Sequence, residues 1–308
     1  MLRYGSPGPV EFDSTVLLAG PSYSQRGEDM QDAEQIRALR QFSVRIRMEA
    51  LKSIAAIGIG HIGGTLSICD VLAVLYGGVM RVDPSNPSWQ GRDYLVLSKG
   101  HAGPALYATL ALKGFFAADL LTTLNQPRTN LPSHCDRLRT PGVDMTTGSL
   151  GQGASSAAGI ALGLKRRGIS NRVFLVLGDG ECNEGQVWEM ALFARQFKLD
   201  NLTAFVDYNK QQIDGFTSEI CDLGDLAAKF AAFGWHAQAV DGHDVAAIGQ
   251  AIEDARIEEG RPSVIVLNTV KGKGVSWWER DRNNHNMPIT AEQLGRALQE
   301  LEAQLAEY

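Results

Sequence analysis

Asp179 follows the apolar run Val-Phe-Leu-Val-Leu and sits between Gly178 and Gly180, and Asn209 follows Thr-Ala-Phe-Val-Asp-Tyr some thirty residues later. Each run has the length and composition of a buried strand, so both side chains are expected at the carboxyl ends of parallel strands, where ligands bind. A carboxylate, an amide oxygen and a backbone carbonyl make a hard oxygen site suited to Mg²⁺ or Ca²⁺. Three protein oxygens leave places for water and phosphate oxygens, an arrangement that Mg²⁺ favours. Gly178 and Gly180 let the backbone approach a diphosphate closely. The chain also holds six histidines, the side chain that most readily moves protons near neutral pH.

These groups need a scaffold, and the periodicity supplies one. Apolar residues at helical spacing (Ile36, Leu39, Val44, Met48, Leu51, Ile54) mark a helix over Asp32–Ile57. Further helices are expected at Ser67–Met80, Ala154–Arg167, Gln186–Phe197, Leu223–Phe233 and Val245–Glu258. Short strands are expected at Asp93–Ser98, Val173–Leu177, Thr203–Asp207 and Ser263–Asn268. Thr290 and Gln293 form a capping box, and Leu294, Leu298, Leu301 and Leu305 give a final helix its apolar stripe. Strands alternating with helices, each strand apolar on both faces, indicate an α/β fold: an open parallel sheet with helices on both faces. No internal repeat or interdomain linker is visible. Residues 31–308 are read as one domain, and residues 1–30, rich in glycine, proline and serine, as a mobile leader.

Composition narrows the class. Of 308 residues, 44% are hydrophobic and 21% charged, enough for a packed core. The net charge of −6 argues against a nucleic-acid partner, which needs a basic surface. No apolar run approaches the roughly 20 residues of a membrane span. The four cysteines, Cys69, Cys135, Cys182 and Cys221, form no CxxC pair and no zinc spacing with histidine. They read as reduced thiols of a cytoplasmic protein.

Further motifs join the Gly-Asp-Gly turn and its distant asparagine: GHIGGT at 60–65, LSKGHA at 97–102, LPSH at 131–134, TTGSLGQG at 146–153 and TVKGKGV at 269–275. In this order and at these distances the chain resembles the thiamine-diphosphate-binding N-terminal half of transketolases, from about Asp32 to His285. The resemblance implies thiamine diphosphate as cofactor and transfer of a two-carbon ketol unit from a ketose to an aldose. It makes Asp179, Asn209 and the Gln211 carbonyl the metal ligands. It gives His61 and His285 the substrate hydroxyl proton, and brings His101 against the diphosphate and near the reacting carbon. His134 would bond ketose hydroxyls, and Gly148 and Leu150 would contact the cofactor rings. Glu184 would relay a hydrogen bond across a subunit interface, while Lys271 and Lys273 would balance diphosphate charge. His285 stands in Asn-His-Asn, where split members of the family are expected to have Trp-His-Gly. His236 and His243 match no motif and are left to structure.

The family's pyrimidine-binding domain, with its ring-activating glutamate, has no counterpart here. The resemblance therefore implies a second polypeptide carrying that domain, in an α₂β₂ assembly. Two rival readings stand beside this one: an alpha-type subunit of a 2-oxoacid dehydrogenase, and a non-catalytic diphosphate-binding regulatory subunit. The first should lack the GHIGG and LSKGH motifs, and the second has no need of four motif histidines.

Overall fold

A computed structural model describes residues 33–213 and 215–308, so the leader expected over residues 1–30 lies outside the described residues. Five strands form one parallel sheet: β1 (Tyr94–Leu97), β2 (Val173–Gly178), β3 (Leu202–Tyr208), β4 (His236–Asp241) and β5 (Ser263–Asn268). They lie in the order β1-β2-β3-β5-β4. The helices around it are α1 (Ala33–Ile57), α2 (Ile62–Leu66), α3 (Cys69–Val74), α4 (Gly103–Leu112), α5 (Gln152–Arg166), α6 (Gly185–Gln196), α7 (Leu226–Ala232), α8 (Val245–Ile257) and α9 (Ala291–Glu307).

Alternation along each strand decides which helices it serves. Phe174 and Val176 of β2, Phe205 of β3, and Ile265 and Leu267 of β5 join one core with α1, α3, α4, α8 and α9. The intervening Val173, Leu175, Leu177, Ala204, Val206, Val264 and Val266 join a second core with α5, α6 and α7. Both faces of the sheet are thus covered, as the continuous apolar strands predict.

The structure differs from the sequence expectation at three places. The edge strand β4 carries half-exposed residues on an outer position, so it lacks the apolar run that marks its neighbours. Helix α4 is buried from Gly103 to Ala111, and a helix apolar on every side shows no 3.6-residue period. The helix expected over Ser67–Met80 is broken: α2 ends at Leu66, α3 runs to Val74, and a wide turn at Leu75–Val79 contains Gly77 and Gly78. The apolar stretch Ile62–Val79 is 89% buried inside the protein, which makes it core.

Two details of pairing set up the site. Gly178 pairs with Asp207 across β2 and β3, and Tyr208 with Asn268 across β3 and β5, so Asp179, Asn209 and Thr269 leave the sheet at one level. Ile59–Gly60 pairs antiparallel with Met287–Pro288, which returns the segment after β5 to the chain's first motif.

A pair of glycines in α5 tests the packing. A Cβ at Gly153 would strike the Ser98 side chain and lie 2.8 Å from its Cα, whereas a Cβ at Gly159 would meet nothing within 4 Å. Gly159→Ala is expected to stabilise by about 0.5–1 kcal/mol through helix propensity. Gly153→Ala is expected to destabilise by about 1–3 kcal/mol through overpacking. Urea denaturation of the two variants gives both signs.

Candidate active site

The sheet top is organised by a buried ion pair. Lys99, next to the 3₁₀ turn that follows β1, reaches Asp207 on β3, with Nζ 2.5 Å from Oδ2. Asp207 is fully buried, and its Oδ2 also accepts from Ser67 Oγ (2.7 Å) and Asn209 Nδ2 (3.0 Å). Its Oδ1 accepts from Thr269 Oγ1 at 2.5 Å. Lys99 Nζ donates further to the Gly64 carbonyl at 2.9 Å. Burial alone would raise the Asp207 pKa, but the Lys99 ammonium and these hydrogen bonds outweigh it and hold the carboxyl below its usual range. Four motif segments, carrying Gly64, Lys99, Asn209 and Thr269, are therefore tied to one carboxylate.

On this base four imidazoles converge. The rings of His61 and His101 lie 5.2 Å apart, His61 and His134 5.8 Å, His61 and His285 5.2 Å, and His101 and His285 5.1 Å. All four motif histidines are brought together. Burial, then the charge of His134, Lys99 and Lys271, pushes His61 down to about 4. Burial, then Lys271, His61 and Lys99, takes His285 to about 3. Burial lowers His101 well below its ordinary value and lowers His134 as well. The cluster is neutral at neutral pH, so each ring can accept a proton or donate one N–H to a hydroxyl.

The loops carrying these rings are held by backbone contacts that only small residues permit. A Cβ at Gly100 would strike the Thr147 carbonyl carbon and the Gly148 nitrogen at 2.9 Å, so the His101 turn and the Gly148 loop touch main chain to main chain. Gly148 has φ 153°, and its Cα faces the His134 ring. Leu150 is half-buried beside it. The buried Glu181 ties this loop to the Gly-Asp-Gly turn: Oε1 accepts from Gly151 N (2.8 Å) and Ser98 Oγ (2.5 Å), and Oε2 from Gly178 N (3.0 Å). On the other side the fully buried Asn284 accepts from Gly63 N at 2.8 Å through its main-chain carbonyl. Its amide donates to the Lys271 and Trp278 carbonyls at 3.2 and 2.7 Å, which seats His285 beside His61.

Sequence reasoning missed Lys99, Asp207, Glu181 and Asn284 as organisers. Lys99 and Asp207 lie inside quoted motifs, and their charge within apolar surroundings was the available signal. Glu181 was passed over for Glu184, which is exposed at the start of α6.

The residues predicted to hold metal and diphosphate stand at the strand ends. Asp179 is buried, and its carboxylate accepts from the Gly180 and Lys210 amides at 2.8 and 2.5 Å. Burial, with the Asp207 charge nearby, pushes its pKa up to about 7, a penalty that a bound cation reverses. Asn209 accepts from Gln211 N at 3.1 Å, and Gln211 opens a short hairpin against Phe216. Among the described residues no three His, Cys, Asp or Glu side chains cluster as a metal site. A metal here would therefore use amide and main-chain oxygens beside one carboxylate, the hard donors that suit Mg²⁺ or Ca²⁺. Lys271 is 2% exposed, and among the described residues its Nζ has no hydrogen-bond partner. Burial, then the Lys99 charge, lowers it to about 8. A buried, unpaired ammonium beside glycine-lined backbone fits an anionic group such as a diphosphate. Lys273 instead lies 3.7 Å from Glu279. His236, beside Ser263, sits at the opposite end of the sheet.

Comparison with known proteins gives the same picture. The family described as "Transketolase, thiamine diphosphate binding domain" matches residues 39–305. The chain is 55% identical over 269 residues to the 6-deoxy-6-sulfo-D-fructose transketolase subunit SqwG of a Clostridium species, covering 87% of this chain and 98% of that protein. It is 36% identical over 267 residues to an apulose-4-phosphate transketolase subunit of Phocaeicola vulgatus, covering 87% and 95%. Among solved structures, a transketolase variant from Pichia stipitis aligns with a TM-score of 0.81 at 31% identity, over 85% of this chain and 40% of that one. Campylobacter jejuni transketolase aligns at 0.81 and 27% identity, over 90% and 46%. The chain thus spans less than half the length of these solved proteins.

Two measurements probe the site's energetics. Asp207→Asn leaves the Lys99 ammonium buried without its counter-charge, and a loss of about 3–5 kcal/mol is expected in chemical denaturation. Adding Lys99→Met removes the orphaned charge and should restore part of that loss. The histidines set a pH dependence: their folded pKa values lie below the unfolded value, so the unfolded chain binds more protons as pH falls. Stability is expected to fall as pH drops from about 6.5 through about 4 for His61, and on toward about 3 for His285. His61→Gln should flatten the upper part of that decline in urea midpoints measured against pH.

Proposed function

The chain belongs to the transketolase family, as its thiamine diphosphate-binding domain, and on that premise we propose that it is the cofactor-holding subunit of a two-polypeptide transketolase. The observation that carries the proposal is the convergence of four neutral imidazoles beside an unpaired buried lysine and the Asp179–Asn209 strand ends. The assembled enzyme moves a two-carbon ketol unit from a ketose to an aldose. The partner carries the pyrimidine-binding domain, and the two chains form an α₂β₂ assembly. Relatives named as transketolase subunits support this division of labour. The working compartment is the reducing cytoplasm, where the free cysteines stay thiols.

In this reading Asp179, Asn209 and the Gln211 carbonyl hold Mg²⁺ or Ca²⁺. Lys271, His101 and the Gly178–Gly180 backbone hold the diphosphate. Gly148 and Leu150 border the cofactor rings, and Glu184, exposed on the single chain, faces another subunit. When bound, thiamine diphosphate supplies the electron sink that ketol transfer requires. The protein's own task is proton handling. His61 and His285, edge to face and neutral, take the hydroxyl proton of the donor as its carbon–carbon bond breaks and return it to the acceptor. His134, at the rim of the cluster, donates to ketose hydroxyls. His101 donates toward the diphosphate and the oxygen on which charge develops.

The test is native mass spectrometry of the protein captured from its own cells with thiamine diphosphate and Mg²⁺ present. Equal copies of this chain and a second chain, with cofactor, are expected. A homodimer that retains cofactor without a second chain would remove the split-enzyme reading. The recovered pair is then assayed with 6-deoxy-6-sulfo-D-fructose as donor, the sugar named for the 55% identical relative. This chain alone should show no turnover. His61→Ala should lower kcat about 10²–10⁴-fold with cofactor affinity kept, and EDTA should release the cofactor until Mg²⁺ or Ca²⁺ is restored.

A further inference from the structure

His243 matches no motif, yet it sits in a buried chain that ends on the active-site lysine's own loop. Arg47 on α1 and Asp70 on α3 are 3% and 4% exposed. Arg47 grips both carboxylate oxygens of Asp70, with Nη1 3.2 Å from Oδ1 and Nη2 bonded to Oδ2. Asp70 Oδ2 lies 2.7 Å from His243 Nδ1, and His243 Nε2 lies 2.8 Å from Val270 N. The Val270 amide is an obligate donor, so Nε2 accepts and Nδ1 carries the proton that Asp70 receives. The ring is thereby held in one tautomer between a fixed carboxylate and a backbone N–H.

Three backbone N–H groups hold the segment on which Lys271 sits: Thr269 N on the Tyr208 carbonyl (3.2 Å), Gly272 N on the Gly63 carbonyl (3.1 Å) and Val270 N on His243. Of these three only the last ends on a side chain; the Asn284 amide holds the Lys271 carbonyl from the other side, and Gly274 N donates to Glu279 Oε1. Lys271 follows Val270 directly and extends a buried, unpaired ammonium into the site. Gly274, further along the same loop, packs against Arg47: a Cβ there would lie 3.0 Å from Arg47 Cδ. The loop is thus braced twice by one ionic chain.

We infer that His243 is a positioning residue: the Arg47–Asp70–His243 chain fixes the Val270 main chain and so aims the Lys271 ammonium at the diphosphate. This inference rests on the assignment of Lys271 to that anion, and a double-variant cycle separates the two. Binding of inorganic diphosphate with Mg²⁺ to the full chain is measured by calorimetry for the parent, His243→Ala, Lys271→Met and the double variant.

Lys271→Met should weaken binding clearly, and His243→Ala about five- to tenfold, the worth of one positioned hydrogen bond to a loop. The double variant should bind no more weakly than Lys271→Met alone, because the lysine that His243 aims is already gone. His243→Gln, whose Oε1 can accept from Val270 N, should recover part of the loss and carries the same cycle if the alanine variant fails to fold. Equal weakening by His243→Ala with and without Lys271 overturns the positioning role while leaving the diphosphate assignment intact. Unchanged binding in Lys271→Met, or none in the parent chain, overturns the assignment itself.

Discussion

The Lys99–Asp207 pair is the constraint on which the site depends. Two opposite charges in a dry interior attract strongly, but each also loses its hydration, so such a pair persists only when its remaining donors and acceptors are satisfied. Here they are: Ser67, Asn209 and Thr269 serve the carboxylate, and the Gly64 carbonyl serves the ammonium. Because those partners come from three separate segments, the α2 turn carrying Gly64 and Ser67 and the strand ends carrying Asn209 and Thr269, satisfying the charges and aligning the segments are one event. A misplaced loop would leave a buried charge short of a hydrogen bond, which gives the arrangement specificity that apolar packing alone does not supply.

The same economy explains why the histidines stay neutral. Burial does most to lower their proton affinity, and the two lysines that share the region lower it further for His61, His101 and His285. The lysines are also what make the region receptive to a polyanion. One set of fixed positive charges thus adds to burial in keeping imidazoles available as proton acceptors, and also favours a phosphate-bearing ligand. Asp179 sits on the opposite side of that balance, a carboxylate that burial disfavours and a metal would stabilise.

Much of this was legible before the fold was seen. The apolar strands β2, β3 and β5 announce a sheet covered on both sides, and the glycine turn and the later asparagine announce its working edge. All four motif histidines meet, because the motifs that carry them lie on loops at one end of that sheet. What was hidden follows from physical causes. Strand β4 is an edge with mixed exposure, and α4 is apolar all round, so neither shows a clear period. Asp207 looks like the last residue of a strand, and Glu181 like an ordinary helix-entry acid. Their importance lies in hydrogen-bond partners far along the chain, which local pattern does not encode. His243 was passed over for the same reason, since its partners Asp70 and Val270 lie on separate elements.

The antiparallel bridge between residues 59–60 and 287–288 has a temporal consequence. It joins the segment just after α1 to one that follows the last strand of the sheet, and the contact that seats His285 beside His61 spans the whole sheet that lies between. During synthesis at the ribosome His61 would wait, without its companion, until the segment carrying His285 had emerged. Closing so long a loop is entropically slow compared with forming local helices. The five-stranded sheet and the helices that precede residue 285 can therefore consolidate first, and the proton-handling cluster is completed only after them.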